Sequence, residues 1–318
     1  MPLLELPTEI HIQVLSTLSL ADMRVMMLVS AGWHHLIKTF LTRKLHIGLL
    51  PYVDDPPAFQ DTMRRTHSVI SGSFALDFAL HGTTRPPFAV SDLDVYCGVA
   101  NAITVIEYLR HKESYLAIPL AFLPCVHWID DYDGGIATVV RMLHPRGSKI
   151  DIICSSRISA LHPLSYFWST AVMSFLTADG FCSAYHSLTE RGISCINPSR
   201  EVTPRVKRCI KKYEMRGFLI DDFGINQTAP HTTHVLDTDD ACATPPQNND
   251  DYQWNCPHVT RRFSDAGSLH LSFGMQLGAT SSSLPFPFEE PEWIMGGKKC
   301  AGCERISGGG VLPYAPHF

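Results

Sequence analysis

The chain has 318 residues, of which 45% are hydrophobic and 18% charged, and its formal net charge is −5. This composition excludes a wholly disordered chain, and the acidic balance excludes a general basic field that would attract nucleic acid. The N-terminus lacks the basic start and apolar core of a secretory signal, and the longest apolar run is too short to cross a bilayer. We therefore expect no membrane partner, reduced cysteines, and a cytoplasmic or nuclear protein.

Residues 1–48 are predicted to form a small helical unit. Pro7 suits the first turn of a helix, and apolar residues follow it at roughly helical spacing. Ser19 and Asp22 form a near capping box at the start of the next helix, with aspartate where glutamate or glutamine is usual. A segment this short does not bury enough apolar surface alone, so it must pack on a partner or on the rest of the chain.

The sequence LPTEIHIQVLSTLSLADMRVMMLVSAGWHHLI resembles the F-box, chiefly through its Leu-Pro start and its Val-Ser-x-x-Trp ending. The resemblance implies docking on the adaptor subunit of a cullin–RING ubiquitin ligase. The alternative is that these helices only pack on the chain's own α/β region. Under the F-box interpretation the partner-binding residues are Leu6, Pro7, Ile10, Leu15, Leu18, Val29 and Trp33.

Residues 58–235 are predicted to form an α+β region, a mixed sheet flanked by helices. Four segments have patterns typical of strands: HSVISG, SDLDVYCGV, ATVVRML and SKIDIICS. Three have patterns typical of helices: SFALDFALHG, a segment capped by Asn101, and LSYFWSTAVMSFLT. The segment at 200–217 is predicted to be a basic helix. Its cations either contact phosphates or, more commonly for such patterns, form a solvated face; they are Arg205, Lys207, Arg208, Lys211 and Lys212.

Three aspartates are the main candidates for chemistry. Asp92 and Asp94 alternate on a predicted strand, so their side chains lie on one face. Two carboxylates about 4 Å apart repel by roughly 4 kcal/mol at an effective dielectric of about 20, so such a pair is solvated, shares a proton or holds a cation. Asp151 lies between two isoleucines on another strand. If the strands pair, three hard oxygen ligands converge, which suits Mg²⁺ or Mn²⁺.

A glycine-bearing turn precedes this region, where Gly72 and Ser73 join a strand to a helix. Backbone N–H groups at such a turn, together with the helix N-terminus, favour a phosphate.

Residues 65–175 resemble the nucleotidyltransferase superfamily in the order of three motifs: Gly72-Ser73, Asp92-x-Asp94 and Ile150-Asp151-Ile152. The resemblance implies catalytic and metal-binding roles for the three aspartates, and nucleoside triphosphate contacts at Gly72, Ser73 and Arg85. One departure is the long insert TTRPPFAV between the glycine turn and the paired aspartates. The sequence also looks similar to fungal proteins with such a core.

Two functions follow from these patterns. The first is an F-box interaction module joined to a domain that binds a nucleoside triphosphate and a divalent metal. The alternative is an active nucleotidyltransferase acting on a protein, RNA or small-molecule hydroxyl, with a purely structural helical N-terminus.

The remaining C-terminal sequence carries weaker signals. Residues 236–251 are predicted to be a disordered linker, and residues 252–318 to be strands followed by a poorly ordered tail. Cys256, His258, Cys300 and Cys303 either hold zinc or, as the irregular spacing favours, are free.

Overall fold

The computed structural model describes residues 6–118, 135–197, 200–221, 254–255, 259–273 and 290–295. Over these residues the predicted mixed α/β architecture is confirmed: helices come first, and a mixed sheet flanked by helices follows. The α-helices there are α1 (Thr8–Thr17), α2 (Leu20–Met27), α3 (Ala31–Leu49), α4 (Pro56–Thr66), α5 (Gly72–Ala79), α6 (Ala102–Lys112), α7 (His186–Arg191) and α8 (Pro204–Met215). Within the described ranges no helix has the length and apolar character that a bilayer crossing needs.

The main sheet has the strand order β11-β7-β6-β1-β2-β5-β4-β3, and only the β2–β5 pair is parallel. Two small pairs, β8 with β9 and β10 with β12, lie outside it. The strands are β1 (Val69–Ser71), β2 (Leu93–Gly98), β3 (Leu116–Ala117), β4 (Ile136–Leu143), β5 (Lys149–Ser155), β6 (Ser174–Thr177), β7 (Gly180–Ser183), β8 (Ile193–Cys195), β9 (Leu219–Asp221), β10 (Arg261–Arg262), β11 (Leu269–Ser272) and β12 (Glu292–Trp293).

The N-terminal helices begin where the sequence predicts. Pro7 precedes α1, and the Ser19 side chain accepts from the backbone N–H of Asp22, whose carboxylate accepts in return from Ser19. This reciprocal pair satisfies donors that a helix start leaves unpaired. Helix α3 then buries one residue in every four on a single face, namely Trp33, Ile37, Leu41, Leu45 and Leu49.

These helices share a hydrophobic core with one face of the sheet. The backbone carbonyl of Leu15 contacts His81 Nε2 at 3.0 Å, and the Thr42 hydroxyl donates to the carbonyl of Phe273 at 3.2 Å. A Cβ atom on Gly82, whose φ is +73°, would lie only 2.1 Å from the carbonyl oxygen of Leu18. The helical unit is therefore packed directly on the α/β region.

One predicted helix, over LSYFWSTAVMSFLT, is wrong. Two short 3₁₀ turns, at His162–Tyr166 and Thr170–Val172, lead instead into strand β6. The Ser169 side chain accepts from the N–H of Ala171 and begins the second turn. An apolar run without a polar face is equally suited to a strand buried between neighbours, and β6 lies between β1 and β7.

One other local expectation needs correction, and one is confirmed. The segment CPHVTRRFSDAGSLHLSFG supplies strands, as expected for this region: β10 pairs with β12, and β11 pairs with β7. Asn101 precedes α6 without capping it, because its amide donates to the carbonyl of Thr66. The predicted linker at 236–251 and the candidate zinc ligands Cys256, His258, Cys300 and Cys303 lie outside the described residues.

Candidate functional site

The three aspartates converge at the start of two neighbouring strands. In the parallel β2–β5 pair Asp94 lies opposite Asp151, and Asp92 immediately precedes β2. Each residue offers one carboxylate oxygen to a group in which these atoms all lie within 4.8 Å of one another. Ile150 and Ile152, beside Asp151, are fully buried in the core on the opposite face. The alternation expected from the sequence thus places the carboxylates together.

Electrostatics make this cluster unfavourable without a cation. Burial raises the pKa of Asp94 to about 8, and the neighbouring carboxylates of Asp92 and Asp151 add to the shift. The basic side chains of Lys212 and Arg205 act in the opposite direction. A site that disfavours its own charge so strongly gains most from a bound positive ion.

Gly72 forms the tight turn at the edge of this cluster. It has a φ of +68°, and the preceding Ser71 is the antiparallel partner of Asp94. A Cβ atom at position 72 would lie 2.1 Å from Asp94 Oδ2. The absence of a side chain therefore leaves room for the Asp94 carboxylate, and helix α5 begins at the same residue.

Helix α8 brings positive charge to the same turn. The Ser73 hydroxyl oxygen accepts from Arg216 Nη1 at 3.0 Å and from Lys212 Nζ at 3.3 Å. The Arg216 guanidinium also lies 3.8 Å from the centre of the Phe88 ring. Lys211 and Lys212 are both exposed, as a solvated face predicts, but the Lys212 ammonium group and the buried Arg216 also contact Ser73.

Arg141 is a site residue that sequence reasoning missed. On β4 it is the direct antiparallel partner of Asp151, and its Nε donates to Asp151 Oδ1 at 2.7 Å while its Nη2 donates to Asp151 Oδ2. The hydrogen bond to Asp151 is the largest cause that raises the Arg141 pKa. Aligning ATVVRML against SKIDIICS across the HPRG turn would have revealed the pair, because the hairpin register sets these two residues opposite each other.

Tyr52 is a second unforeseen neighbour of the carboxylates. Burial raises the pKa of its hydroxyl to about 12, and Asp92 and Asp94 contribute to that rise. The hydroxyl donates to the carbonyl of Val90 at 2.9 Å. Tyr52 therefore stays protonated and fastens the segment that leads into Asp92.

Arg85 occupies a different place from the one expected. Its Nη1 donates to the carbonyl of Gly217 at 2.7 Å, and its guanidinium lies 5.1 Å from the centre of the Phe218 ring. The insert that carries Arg85 thus packs against the C-terminal end of α8. These contacts hold the insert in place, and the phosphate contact expected of Arg85 stays a prediction.

The expected partner-binding residues divide into three sets by exposure. Leu15 and Trp33 are buried within the chain, with 1% and 7% of their surface exposed, so they pack in its own hydrophobic core. Leu6 and Leu18 are partly buried. The exposed members are Pro7, Ile10 and Val29, the last with 70% of its surface accessible.

The donor set fits a hard divalent cation. Asp92 and Asp94 supply carboxylate oxygens, which magnesium and manganese prefer over softer ligands. The space beside Gly72 admits the Asp94 carboxylate, and Lys212 and Arg216 bring positive charge to the adjacent Ser73. Asp151 is the member whose oxygens already have a partner, in Arg141.

Comparison with known proteins gives a limited set of matches. No curated protein matches the sequence. Two solved structures of CCA-adding enzyme are similar, an apo form (16% identity, TM-score 0.35) and a complex with CTP (15% identity, TM-score 0.37). The match covers 56% of this chain in each case, but only 42% and 43% of those chains. In the helical N-terminus the F-box domain family model matches residues 3–45, so the chain carries an F-box domain there.

Proposed function

We propose that this chain is an F-box interaction protein whose α/β region binds a nucleoside triphosphate together with Mg²⁺ or Mn²⁺. The observation that carries the nucleotide part is the convergence of three carboxylates beside the Gly72 turn. The interaction part rests on the F-box domain and its exposed apolar residues. The proposed units are residues 1–48 and 58–235, in a cytoplasmic or nuclear protein.

The chain's own residues have separate roles in this proposal. Asp92 and Asp94 would hold the divalent ion, which neutralises the charge of the triphosphate when bound. Lys212 and Arg216 would donate to phosphate oxygens beside Ser73, which they already contact. The N-terminus of α5 presents backbone N–H groups and a favourable dipole to the same anion.

We expect triphosphate binding to depend on both the ion and α8. By titration calorimetry, the wild-type chain should bind a nucleoside triphosphate only when Mg²⁺ or Mn²⁺ is present. The Lys212→Gln substitution should weaken binding by roughly ten- to hundredfold, because one charge-assisted hydrogen bond contributes about 1.5–3 kcal/mol.

Lys211→Gln is the matched control, since Lys211 is the preceding residue of the same helix and is exposed, as Lys212 is. It removes the same charge without removing a contact to Ser73, so its affinity should stay within about twofold of wild type. Equal losses of affinity in both variants would mean that α8 contributes only through its overall positive charge and not through a contact of Lys212. No metal-dependent binding in the wild type would refute the nucleotide proposal.

The F-box is proposed to dock on the adaptor subunit of a cullin–RING ubiquitin ligase. Exposed apolar side chains cluster on α1 and around the end of α2, where Val25, Leu28 and Val29 have 64%, 81% and 70% of their surface accessible. Each large side chain newly buried in an interface contributes about 1.5–3 kcal/mol. Several such residues together favour a stable protein contact.

Val29→Asp should reduce adaptor binding at least tenfold in a pulldown or by surface plasmon resonance, because it replaces one of these exposed apolar side chains with a charge. Val99→Asp is the matched control: Val99 is also exposed, at 55%, but lies before α6. Wild-type chain that does not bind the adaptor, or equal loss in both variants, would contradict docking through this surface.

The second candidate function is nucleotidyl transfer to a protein, RNA or small-molecule hydroxyl. The third carboxylate, Asp151, is the observation that favours it, because the resemblance assigns that position a share in the metal and in deprotonating the acceptor. Incubation with each labelled triphosphate and Mg²⁺ or Mn²⁺ tests this function directly. Label in a macromolecule or small product, absent from an Asp92→Asn variant, would support it.

A further inference from the structure

Asp151 differs from the other two aspartates in already having a cation. The Arg141 guanidinium contacts both of its carboxylate oxygens, and the pair is mostly covered, with 22% of the arginine side chain and 8% of the aspartate side chain exposed. A bidentate arginine–carboxylate pair fixes the planes of both groups and is among the strongest of side-chain contacts. An arginine also stays charged at every pH at which the protein is folded.

The β-sheet fixes this pair. Arg141 and Asp151 are direct cross-strand partners in the β4–β5 hairpin, which is joined by the turn after His144. Their neighbours on the strands, Val140 and Ile152, are partners in the same register. Because the strand register holds the two residues opposite each other, the side chains separate only if the arginine side chain turns away or the register changes.

We propose that Arg141 is a built-in counterion that takes the place of a second metal ion at this site. This inference rests on the proposed function above. Asp92 and Asp94 are left to bind one divalent ion, and Asp151 stays engaged by the guanidinium. The α/β region then binds a nucleotide and its ion without transferring the nucleotide.

The chemical consequence concerns the proton of an acceptor hydroxyl. In nucleotidyl transfer the acceptor oxygen bonds to the α-phosphorus, the bond from that phosphorus to the bridging oxygen breaks, and pyrophosphate leaves. The hydroxyl proton must pass to a base. Both Asp151 oxygens already accept hydrogen bonds from Arg141, so an acceptor hydroxyl would compete with the guanidinium for them.

Counting bound ions tests the inference without an activity assay. In a titration of the full chain with Mn²⁺, free Mn²⁺ is followed by electron paramagnetic resonance. The wild type should bind one Mn²⁺ per chain, and Arg141→Gln should bind two. Arg110→Gln is the matched control, because Arg110 is an exposed cation of α6, and it should bind one ion as the wild type does.

A double variant controls for the possibility that Arg141→Gln alone disturbs the fold. Arg141→Gln leaves a buried carboxylate without a partner, so it is expected to lower the melting temperature and to regain it when Mn²⁺ is added. Arg141→Gln combined with Asp151→Asn removes both charges and should bind one ion, because Asp92 and Asp94 remain.

The outcomes separate this inference from the proposed function. Two ions on the wild type, or one ion on Arg141→Gln, would overturn the counterion role while leaving metal binding intact. No bound ion on the wild type would overturn the proposed function itself. A loss of triphosphate affinity in Arg141→Gln with an unchanged ion count would also overturn the inference and would make Arg141 a phosphate ligand.

Discussion

Replacing Asp94 with asparagine should abolish Mg²⁺-dependent triphosphate binding and, in the metal-free protein, remove a pH dependence of stability. Burial and two neighbouring carboxylates raise the pKa of this group to about 8, from an ordinary value of 3.8. Between these values the folded chain holds a proton that the unfolded chain releases. The wild-type free energy of unfolding should therefore fall as pH rises from about 4 to about 8, by at most about 1.4 kcal/mol per pH unit.

Asparagine has nearly the same shape but carries no charge to lose, so the Asp94→Asn profile should be flat over that window apart from contributions common to both proteins. Chemical denaturation at a series of pH values measures the difference. Glu107→Gln is the control for removing one acidic charge, because Glu107 is exposed on α6. Identical slopes in wild type and Asp94→Asn would contradict the raised pKa of this carboxylate.

The same linkage affects the ion. A proton and a divalent cation compete for Asp94, so below pH 8 binding of Mg²⁺ should release a proton. Calorimetry in two buffers of different ionisation enthalpy detects that release. Asp94→Asn removes the competing group, and with it one of the two aspartates that the proposal assigns to the ion.

The sequence predicts those parts of the fold that depend on local residue patterns. The Ser19–Asp22 capping box and the strand that contains Asp94 depend on residues within four positions of one another, so the sequence alone defines them. The meeting of Asp94 and Asp151 needed one further assumption, that their strands pair, and the structure satisfies it. The F-box segment was recognised by spacing of the same local kind.

Tertiary contacts account for what the sequence alone did not predict. Strand β6 looked helical because its apolar run has no polar face, and only its burial between β1 and β7 selects the extended form. Trp33 was expected to face a partner, yet it lies against the chain's own core. Arg141 was overlooked because nothing in ATVVRML distinguishes its arginine from a surface cation until the hairpin register is drawn.

Gly72→Ala should be the most damaging single-methyl change in the site. The φ of +68° at this position costs a non-glycine residue roughly 1–2 kcal/mol, and the new Cβ would lie 2.1 Å from Asp94 Oδ2. Relieving the contact requires either a movement of the Asp94 carboxylate or a shift of the start of α5. We therefore expect both a lower melting temperature and a loss of metal-dependent triphosphate binding of at least a hundredfold.

Gly147→Ala separates these two causes. Gly147 also has a positive φ, of +95°, but a Cβ there would meet nothing within 4 Å. It should therefore reproduce the backbone strain and some loss of stability while retaining full affinity for the metal–triphosphate complex. Affinity measured by calorimetry at a temperature where both variants are folded gives the comparison. If Gly72→Ala bound as tightly as Gly147→Ala does, the turn at residue 72 would not be shaping the position of Asp94, and the proposed geometry of the ion site would be wrong.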